Sequence, residues 1–517
     1  MNESIGTKKR FHGRDELEII EQEETIHKMT LYICVQKTIF FGIGGVLFVV
    51  GLMMACLWPV IYNNVLRTQL AVSEKSKTYE MWRETPIPMY IDIYLFNWTN
   101  HERTLKYKEK PILQEVGPYV FSEHRSKVDI KWNDDDTLFY HNRHRWNYHP
   151  ELSKGKLTDN ITNLNVVLMT IGQMCSKLSP FQKKLANSLL KMEDEIVITK
   201  TVDEFLFTGF DDPLLKILNT LHKYFPNLFP ASLDKFGWFY QRNMSSTADG
   251  LFQMNTGVDD LSQLGNVVTW NRRNKLNFYS GHCQEIKGSL GELWAPPSED
   301  QISLFATDIC SAINMQYSGD VHMHNLTGKV FAGGEDVFDN GTLYPQSACY
   351  CVRKGVCPRS GVRDVSGCRD GAPVFISFPH FYLADPYYSS AVQGLNPTAE
   401  NHTFKIILEK FSGVPLMVNA RLQINILMEP VTDMNVFKDL PKLYMPMMWF
   451  HQHAEMTPEL ASNLTPLAEL GEMGLWALMA LTAVGLSLII IGLVLKIKRS
   501  KREEDALHSR DPAPWQT

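Results

Sequence analysis

Two long apolar runs interrupt an otherwise mixed pattern of hydrophobic and polar residues. Residues 38–58 form an uncharged run of 21 residues, and residues 473–495 form one of 23. At a rise of about 1.5 Å per residue, each run can cross a hydrocarbon core of about 30 Å as a helix. We therefore predict two transmembrane helices. The predicted division is a tail at 1–37, a span at 38–60, a large domain at 61–472, a span at 473–495 and a tail at 496–517.

Charged residues beside the second run predict its orientation. The basic stretch KIKRSKR follows it at 496–502, whereas Glu469 and Glu472 precede it. Because basic residues accumulate on the cytosolic side, the C-terminus is expected in the cytosol, and two spans then place the N-terminus there too. Residues 61–472 would face the outside or an organelle lumen. The net charge of −6 over 517 residues does not suggest a nucleic-acid partner.

The large domain begins and ends with strand patterns and carries a helical insert at 155–225. Two β-rich runs around the acidic turn at 133–136 predict a hairpin, and residues 374–378, 404–408 and 421–427 predict buried strands. This order of elements is typical of an α+β protein rather than of repeated βαβ units.

Helix-start residues recur inside the insert. Ser179 and Gln182 have the spacing of a capping box, Thr201 and Glu204 repeat it, and Asp212 precedes a proline. In the first of these helices, Phe181 and three later apolar residues fall on one face, so we expect that face to pack inward. The apolar residues of this stripe are Phe181, Leu185, Leu189 and Met192.

The cysteines predict an oxidising compartment. Six of the nine lie between Cys283 and Cys368, and none of them has the C-x-x-C spacing of a zinc site. We interpret them as three disulfides, for which the spacing alone leaves fifteen pairings open. Cys175 is expected to be a buried thiol, and Cys34 is a candidate for palmitoylation. Seven glycosylation sequons agree with this compartment: Asn97, Asn160, Asn243, Asn325, Asn340, Asn401 and Asn463.

No catalytic motif is present, so an enzyme is not expected, and neither a cofactor nor a metal site is predicted. Histidines nevertheless cluster at His141, His144 and His149. The H-x-H pairs at 322–324 and 451–453 would place two rings on one face of a strand, where a metal could use them. Since no matching carboxylate or cysteine spacing accompanies these pairs, we interpret them as surface or hydrogen-bonded histidines.

Several motifs carry a family resemblance across nearly the whole region from the first span to the second. They are EVGPYVFSE (115–123), STADG (246–250), ATDIC (306–310), GCRDGAPVFISFPHFYLADP (367–386), GLNP (394–397) and RLQINIL (421–427). The chain resembles the class B scavenger receptor family, which includes fatty acid translocase, the high-density-lipoprotein receptor, the lysosomal integral membrane protein and insect relatives such as croquemort. Within this family, the chain resembles the insect-type members.

The resemblance implies a fold and a set of disulfides. The fold is a large antiparallel β-barrel topped by a helical bundle and anchored by two transmembrane helices. The implied pairs are Cys283–Cys349, Cys310–Cys368 and Cys351–Cys357. A hydrophobic tunnel, whose lining residues the sequence does not identify, would pass fatty acids or sterols towards the bilayer.

Lysines of the bundle are implied as the docking surface, since family members that bind fatty acids carry closely spaced lysines there. This chain departs from that pattern, because its matching stretch at 191–195 holds one lysine. The candidate ligand-binding residues are Lys177, Lys183, Lys184 and Lys191. The long N-terminal tail also contains an acidic dileucine-like sequence at 15–20.

These observations predict a plasma-membrane receptor that binds lipids, lipoprotein or modified-lipoprotein particles and other polyanionic cargo, for endocytosis or lipid transfer. One alternative is a lysosomal or endosomal receptor that carries or tethers a protein partner at the helical bundle. Another is a subunit of a two-span ion channel, because Gly485 to Ser487 resembles a filter triplet. Small residues in a spanning helix more often serve helix packing.

Overall fold

Antiparallel strands dominate the region between the two apolar runs. The computed structural model describes residues 28, 35, 38–190, 195–224, 234–298, 300–352 and 357–508. The chain divides into two compact units, Met1–Val65 with Glu469–Thr517, and Leu66–Ala468. The second unit is the ectodomain.

The ectodomain is built around one antiparallel sheet. Thirteen of the described strands form it, with the path β7-β6-β3-β2-β1-β15-β14-β13-β10-β9-β8 and with β12 joining β11 to β14. β4 and β5 pair separately. The strands are β1 (Met89–Trp98), β2 (Leu113–Trp132), β3 (Thr137–Tyr148), β4 (Asn160–Leu164), β5 (Val197–Thr201), β6 (Leu251–Asn255), β7 (Val267–Trp270), β8 (Gln301–Ala306), β9 (Ser311–Met323), β10 (Leu326–Ala332), β11 (Arg363–Asp364), β12 (Val374–Ser377), β13 (Lys405–Glu409), β14 (Pro415–Met428) and β15 (Leu443–Glu455).

A short segment links the two ends of this sheet. Ser289 bridges Asn266 next to β7 and Leu304 in β8. Its amide donates to the carbonyl of Ser303, and the amide of Val267 donates to the carbonyl of Gly288. The sheet is therefore a nearly closed antiparallel barrel, which confirms the predicted fold class. The hairpin predicted around residues 133–136 is formed by β2 and β3.

Alternation along the central strands separates an inner from an outer face. In β1, Ile91, Ile93 and Leu95 are buried in the core, whereas Asp92 and Tyr94 point to the opposite face. The register places Asp92 directly opposite His451 of β15. The first and last strands of the ectodomain are thus neighbours near the middle of the sheet.

Helices occur between the strands and form the two long apolar segments. The α-helices are α1 (Gly44–Leu70), α2 (Lys77–Arg83), α3 (His101–Tyr107), α4 (Val166–Cys175), α5 (Pro180–Leu190), α6 (Pro213–Tyr224), α7 (Pro386–Ser390), α8 (Ala399–His402) and α9 (Pro458–His508). Two π-helical segments occur at Thr38–Ile43 and Glu204–Thr208. The 3-10 turns are Leu261–Gln263, Gly281–Gln284, Pro345–Tyr350, Ser366–Cys368 and Pro379–Phe381.

The helical insert forms as the capping residues predict. Ser179 and Gln182 exchange hydrogen bonds at the start of α5, and Thr201 and Glu204 do the same before the π-helical segment. The Asp212 carboxylate accepts from the amide of Leu214 at the start of α6. The insert also contains the β4–β5 ladder, which the sequence pattern did not predict.

The prediction that Phe181 packs inward is wrong. Its side chain is 80% exposed, whereas Ala186 and Leu190 are buried. The orientation of α5 is set by Asn187, whose amide group donates to the carbonyl of Asp433 and accepts from the amide of Asn435. With this anchor, Ala186 and Leu190 face inward and Phe181 faces outward. The other predicted members of the stripe, Leu185, Leu189 and Met192, lie outside the described side chains.

The membrane unit contains two helical segments that are long and apolar enough to cross a membrane, Thr38–Leu70 and Pro458–Arg502. The predicted spans lie within them. Glycines bring the helices close, since a Cβ added at Gly44 would meet Cβ of Leu488 at 2.9 Å, and one added at Gly485 would overlap the backbone of Phe48. Gly485 therefore serves helix packing, which does not support the ion-channel alternative.

Three disulfides join cysteines of the segment 283–368. The pairs are Cys283–Cys349, Cys310–Cys368 and Cys351–Cys357, with sequence separations of 66, 58 and 6 residues. These are the pairs that the family resemblance implies. Cys175 is a buried free thiol, as predicted, and burial raises its pKa to about 12.

Removing a disulfide that closes a longer loop should destabilise the ectodomain more than removing one that closes a shorter loop. Chain-entropy arguments give about 4 kcal/mol for Cys310–Cys368 and about 2 kcal/mol for Cys351–Cys357. The double variant Cys310→Ser/Cys368→Ser should therefore lower Tm more than Cys351→Ser/Cys357→Ser, as measured by thermal unfolding of the purified full-length chain. Equal effects of the two variants would contradict the entropic interpretation.

Candidate functional site

A cavity of about 310 Å³ lies inside the barrel. This volume is within the range of small-molecule sites in proteins. Strands from both halves of the sheet contribute apolar side chains to its wall. The apolar wall includes Ile91, Trp146, Phe236, Phe239, Leu304, Phe404, Ala420, Leu422 and Phe450.

Charged side chains form another part of the same wall. His144 lies at their centre, with Nδ1 2.6 Å from Glu123 Oε1 and Nε2 2.6 Å from Asp249 Oδ2. All three residues are buried. Inward alternation along β2 and β3 positions Glu123 and His144, whereas Asp249 comes from the loop before β6.

Arginines extend this network on both sides. Arg125 Nε donates to Glu123 at 2.9 Å and its guanidinium reaches Glu292, which also pairs with Lys127. Arg242 pairs with Asp249 at 3.0 Å. Asp308 links Arg242 to Arg369, with separations of 3.4 and 3.5 Å. Four carboxylates therefore face three arginines, one lysine and one histidine.

Electrostatics keep the centre of this network ionised. Burial alone would raise the pKa of Glu123, but the charge of Arg125 and the hydrogen bond with His144 outweigh it and hold that pKa well below its usual range. Burial would likewise raise the pKa of Asp249, but the contacts with His144 and Arg242 outweigh it and hold that pKa well below its usual range. Burial would lower the pKa of His144, but its hydrogen bonds to Asp249 and Glu123 raise it overall. Both ring nitrogens of His144 face carboxylate oxygens, which only accept hydrogen bonds when they are ionised.

In a second cluster, Oε2 of the partly exposed Glu115 accepts from Nε1 of the buried Trp449 at 2.7 Å and lies 2.6 Å from Nε2 of the buried His380. Burial raises the pKa of Glu115, but these hydrogen bonds outweigh it and lower the pKa overall. The ring of His402 stacks on His380. Burial and the charge of His380 lower the pKa of His402 to about 4.

Comparison with known proteins identifies the family. Residues 42–496 match the CD36 family. The chain belongs to the CD36 family. It is 34% identical to Protein peste of Drosophila melanogaster over 414 residues, which are 79% of this chain and 73% of the relative. It is 30% identical to Scavenger receptor class B member 1 of Sus scrofa over 468 residues, 89% of both chains. It is 28% identical to Lysosome membrane protein 2 of Rattus norvegicus over 421 residues, 80% of this chain and 85% of the relative.

The motifs that carry the CD36-family resemblance meet at these two clusters. Glu115 and Glu123 are the ends of EVGPYVFSE, Asp249 belongs to STADG, and Asp308 belongs to ATDIC. Arg369 comes from the longest motif, which also supplies His380. Segments far apart in the sequence thus contribute the polar wall of one cavity and the core beside it.

The predicted lysines lie on the helical insert, away from the cavity wall. Lys177 and Lys184 are exposed. Lys183 Nζ donates to the carbonyl of Thr432 at 3.2 Å. Lys191, the candidate palmitoylation site Cys34 and the dileucine-like sequence at 15–20 lie outside the described residues.

Six of the seven predicted sequons have partly or fully exposed asparagines: Asn97, Asn160, Asn243, Asn325, Asn401 and Asn463. Asn340 differs, because it is 5% exposed and its amide nitrogen donates to the carbonyls of Pro358 and Arg359. A glycan cannot be attached to Asn340 in this conformation. Glycosylation of the other six remains a prediction.

Sequence reasoning did not identify the charged wall of the cavity. His144 was noted within a histidine cluster, but His141 and His149 make separate contacts with Asp129 and Glu151. The usable sequence signal was the presence of charged residues at inward positions of the strand patterns, at Glu123, Arg125 and His144.

The variant His144→Gln should destabilise the protein in a pH-dependent manner. Because the folded-state pKa of His144 is raised, its stabilisation is fully present below the unfolded-state pKa of about 6.5 and is lost as pH rises through the folded value. Breaking a buried ion pair costs about 3–5 kcal/mol, so the difference in stability from wild type should approach this value in acid.

Thermal unfolding of the full-length protein between about pH 5 and 9 tests this sign. The control His322→Gln changes an exposed ring on β9. If the stability difference between His144→Gln and wild type stays constant with pH, or grows as pH rises, the raised pKa of His144 is contradicted.

Proposed function

We propose that the chain is a class B scavenger receptor that takes up lipid or lipoprotein cargo. It captures apolar or polyanionic particles, internalises them or passes their lipid through the ectodomain to the membrane. The observation that carries this proposal is the barrel cavity, whose wall is apolar on one part and charged on another. No catalytic step is assigned to the chain.

The two parts of the wall fit the two parts of a lipid. An acyl chain or sterol ring that leaves water for the side of Leu304, Phe404 and Leu422 gains about 0.8 kcal/mol per buried methylene. The fixed charges at Arg125, His144 and Asp249 offer hydrogen-bond partners to a polar head group.

The helical insert is proposed as the surface that docks particles. Lys177 and Lys184 place positive charge in water on α5 and before it. Phe181 between them is exposed and offers an apolar contact. Anionic groups on a lipoprotein surface could pair with the lysines, and its apolar groups could contact Phe181.

Filling the cavity should block lipid binding. Ala420 lines the cavity on β14, so Ala420→Trp would displace two or more methylenes of a bound lipid. At about 0.8 kcal/mol each, affinity should fall on the order of tenfold. The control Met417→Trp places the same side chain on the opposite face of β14.

The measurement is uptake of labelled fatty acid and of fluorescent modified lipoprotein by cells that express each variant, normalised to the protein at the surface by biotinylation. Ala420→Trp should reduce fatty-acid uptake, and Met417→Trp should not. Equal uptake by wild type and Ala420→Trp would rule out the cavity as the lipid site.

Reversing one charge of the insert should weaken particle capture. Lys184→Glu should reduce binding of polyanionic lipoprotein by about two- to fivefold, the range of an exposed ion pair. Lys223→Glu, on α6 of the same insert, is the matched control. Binding assays at the cell surface in the cold separate capture from uptake, and equal losses in both variants would indicate a non-specific charge effect.

A second candidate function is that of a lysosomal or endosomal receptor for a protein partner. The similarity to Lysosome membrane protein 2 favours it. Surface biotinylation decides between the two, since a chain that resides in lysosomes and does not raise uptake would support this candidate.

A further inference from the structure

Two strands of the barrel bring together a carboxylate and two imidazoles on the outer face of the sheet. Asp92 projects from β1, and His451 and His453 project from β15. Nδ1 of His451 lies 3.7 Å from Asp92 Oδ2, and Nε2 of His453 lies 3.4 Å from Asp92 Oδ1. The three ligand atoms all lie within 4.8 Å of one another.

We propose that Asp92, His451 and His453 bind a divalent transition-metal ion of the zinc class. Zinc bonds of about 2.0–2.2 Å to nitrogen and oxygen place the ligand atoms of a tetrahedral site about 3.3 Å apart. Two of the observed separations are already close to this value. Imidazole and carboxylate ligands favour zinc over calcium or magnesium, which prefer all-oxygen sites.

A hydrogen bond orients one of the ligands. Nε2 of His451 lies 2.7 Å from Oδ1 of Asn419 on β14. A carbonyl oxygen only accepts, so Nε2 carries the proton and Nδ1 presents its lone pair towards Asp92. Asn419 is thus a positioning residue of the kind that metal-binding histidines regularly have.

The charges around the cluster are compatible with a cation. Asp92 is the acidic member of the cluster, and its two carboxylate oxygens face the two imidazoles. Arg421 is the residue opposite His451 on β14, but its guanidinium donates to the carbonyl of Thr403 at 2.8 Å.

The site is partly open and is flanked by aromatic rings. The side chains of Asp92 and His451 are 18% exposed and that of His453 is 35% exposed, so water can complete the coordination. The ring of Tyr90 stacks on His453, and Tyr94 stacks on Trp449 one step along the strands. A metal here would link the first strand of the ectodomain to its last.

A second group of potential ligands in the described residues does not form such a site. It consists of His282, Cys283 and Cys349, whose two sulfur atoms form a disulfide. A metal requires the thiolate form, which the disulfide removes.

Metal titration of the purified full-length protein tests the proposal. After removal of metals with a chelator, Co²⁺ should give one saturable ligand-field band, and Zn²⁺ should abolish it and raise Tm. Each of Asp92→Asn, His451→Gln and His453→Gln should weaken binding by at least about tenfold, and Asn419→Ala by about 10- to 100-fold. The control His322→Gln should bind as wild type does.

Proton competition provides an independent readout. Since the imidazoles must be neutral to bind, affinity should fall as the pH is lowered from about 7.5 to about 5.5. Binding that is unchanged in all three ligand variants, or the absence of a saturable band in wild type, would overturn the proposal.

X-ray absorption of the zinc-loaded wild-type protein needs no variant and therefore does not depend on how the variants fold. Nitrogen and oxygen neighbours with imidazole scattering are expected. A sulfur neighbour would place the metal at a cysteine, for which Cys175 is the described free thiol in the ectodomain, and would refute the site. The proposal does not depend on the lipid function.

Discussion

The ectodomain depends on the pairing of its first strand with its last. β15 lies between β1 and β14, so the middle of the sheet forms only when residues about 360 positions apart meet. The register of this pairing sends Ile91 into the cavity wall and Asp92 to the outer face opposite His451. A slip by one residue would exchange the two faces and abolish both arrangements. The cavity wall and the cluster of Asp92, His451 and His453 therefore both depend on this one strand register.

The charged wall of the cavity is a second constraint on the fold. Removing charges from water is expensive, and such groups are tolerated inside a protein when each has a partner. Glu123, His144 and Asp249 satisfy one another, and Arg125 and Arg242 extend the network to further charged partners on both sides. In many proteins, replacing a buried ion pair with well-packed apolar residues leaves stability unchanged or raises it. A cavity wall that is charged on one part and apolar on another instead suits an amphipathic ligand, whose polar and apolar parts can each contact a matching surface.

Local chemistry in the sequence predicted local structure well. The two apolar runs, the β2–β3 hairpin and the capping residues at Ser179, Thr201 and Asp212 were identified because their determinants are near neighbours. The barrel and the disulfide pairs came from the family resemblance instead. What could not be predicted depends on distant segments, such as the partners of His144 and the carboxylate beside His451. The orientation of Phe181 was also missed, because a contact with the loop after β14, rather than the helical stripe, sets it.

The buried amide of Asn340 has a consequence for the biosynthesis of the chain. Its nitrogen is the atom that a glycan would occupy, yet in the folded loop it donates to the carbonyls of Pro358 and Arg359. Glycan transfer and closure of this loop thus compete for one atom. A glycan added first would remove one of the two N–H groups that make these hydrogen bonds, and a loop that closed first would bury the amide, so the relative speed of folding and modification would decide whether Asn340 carries a glycan.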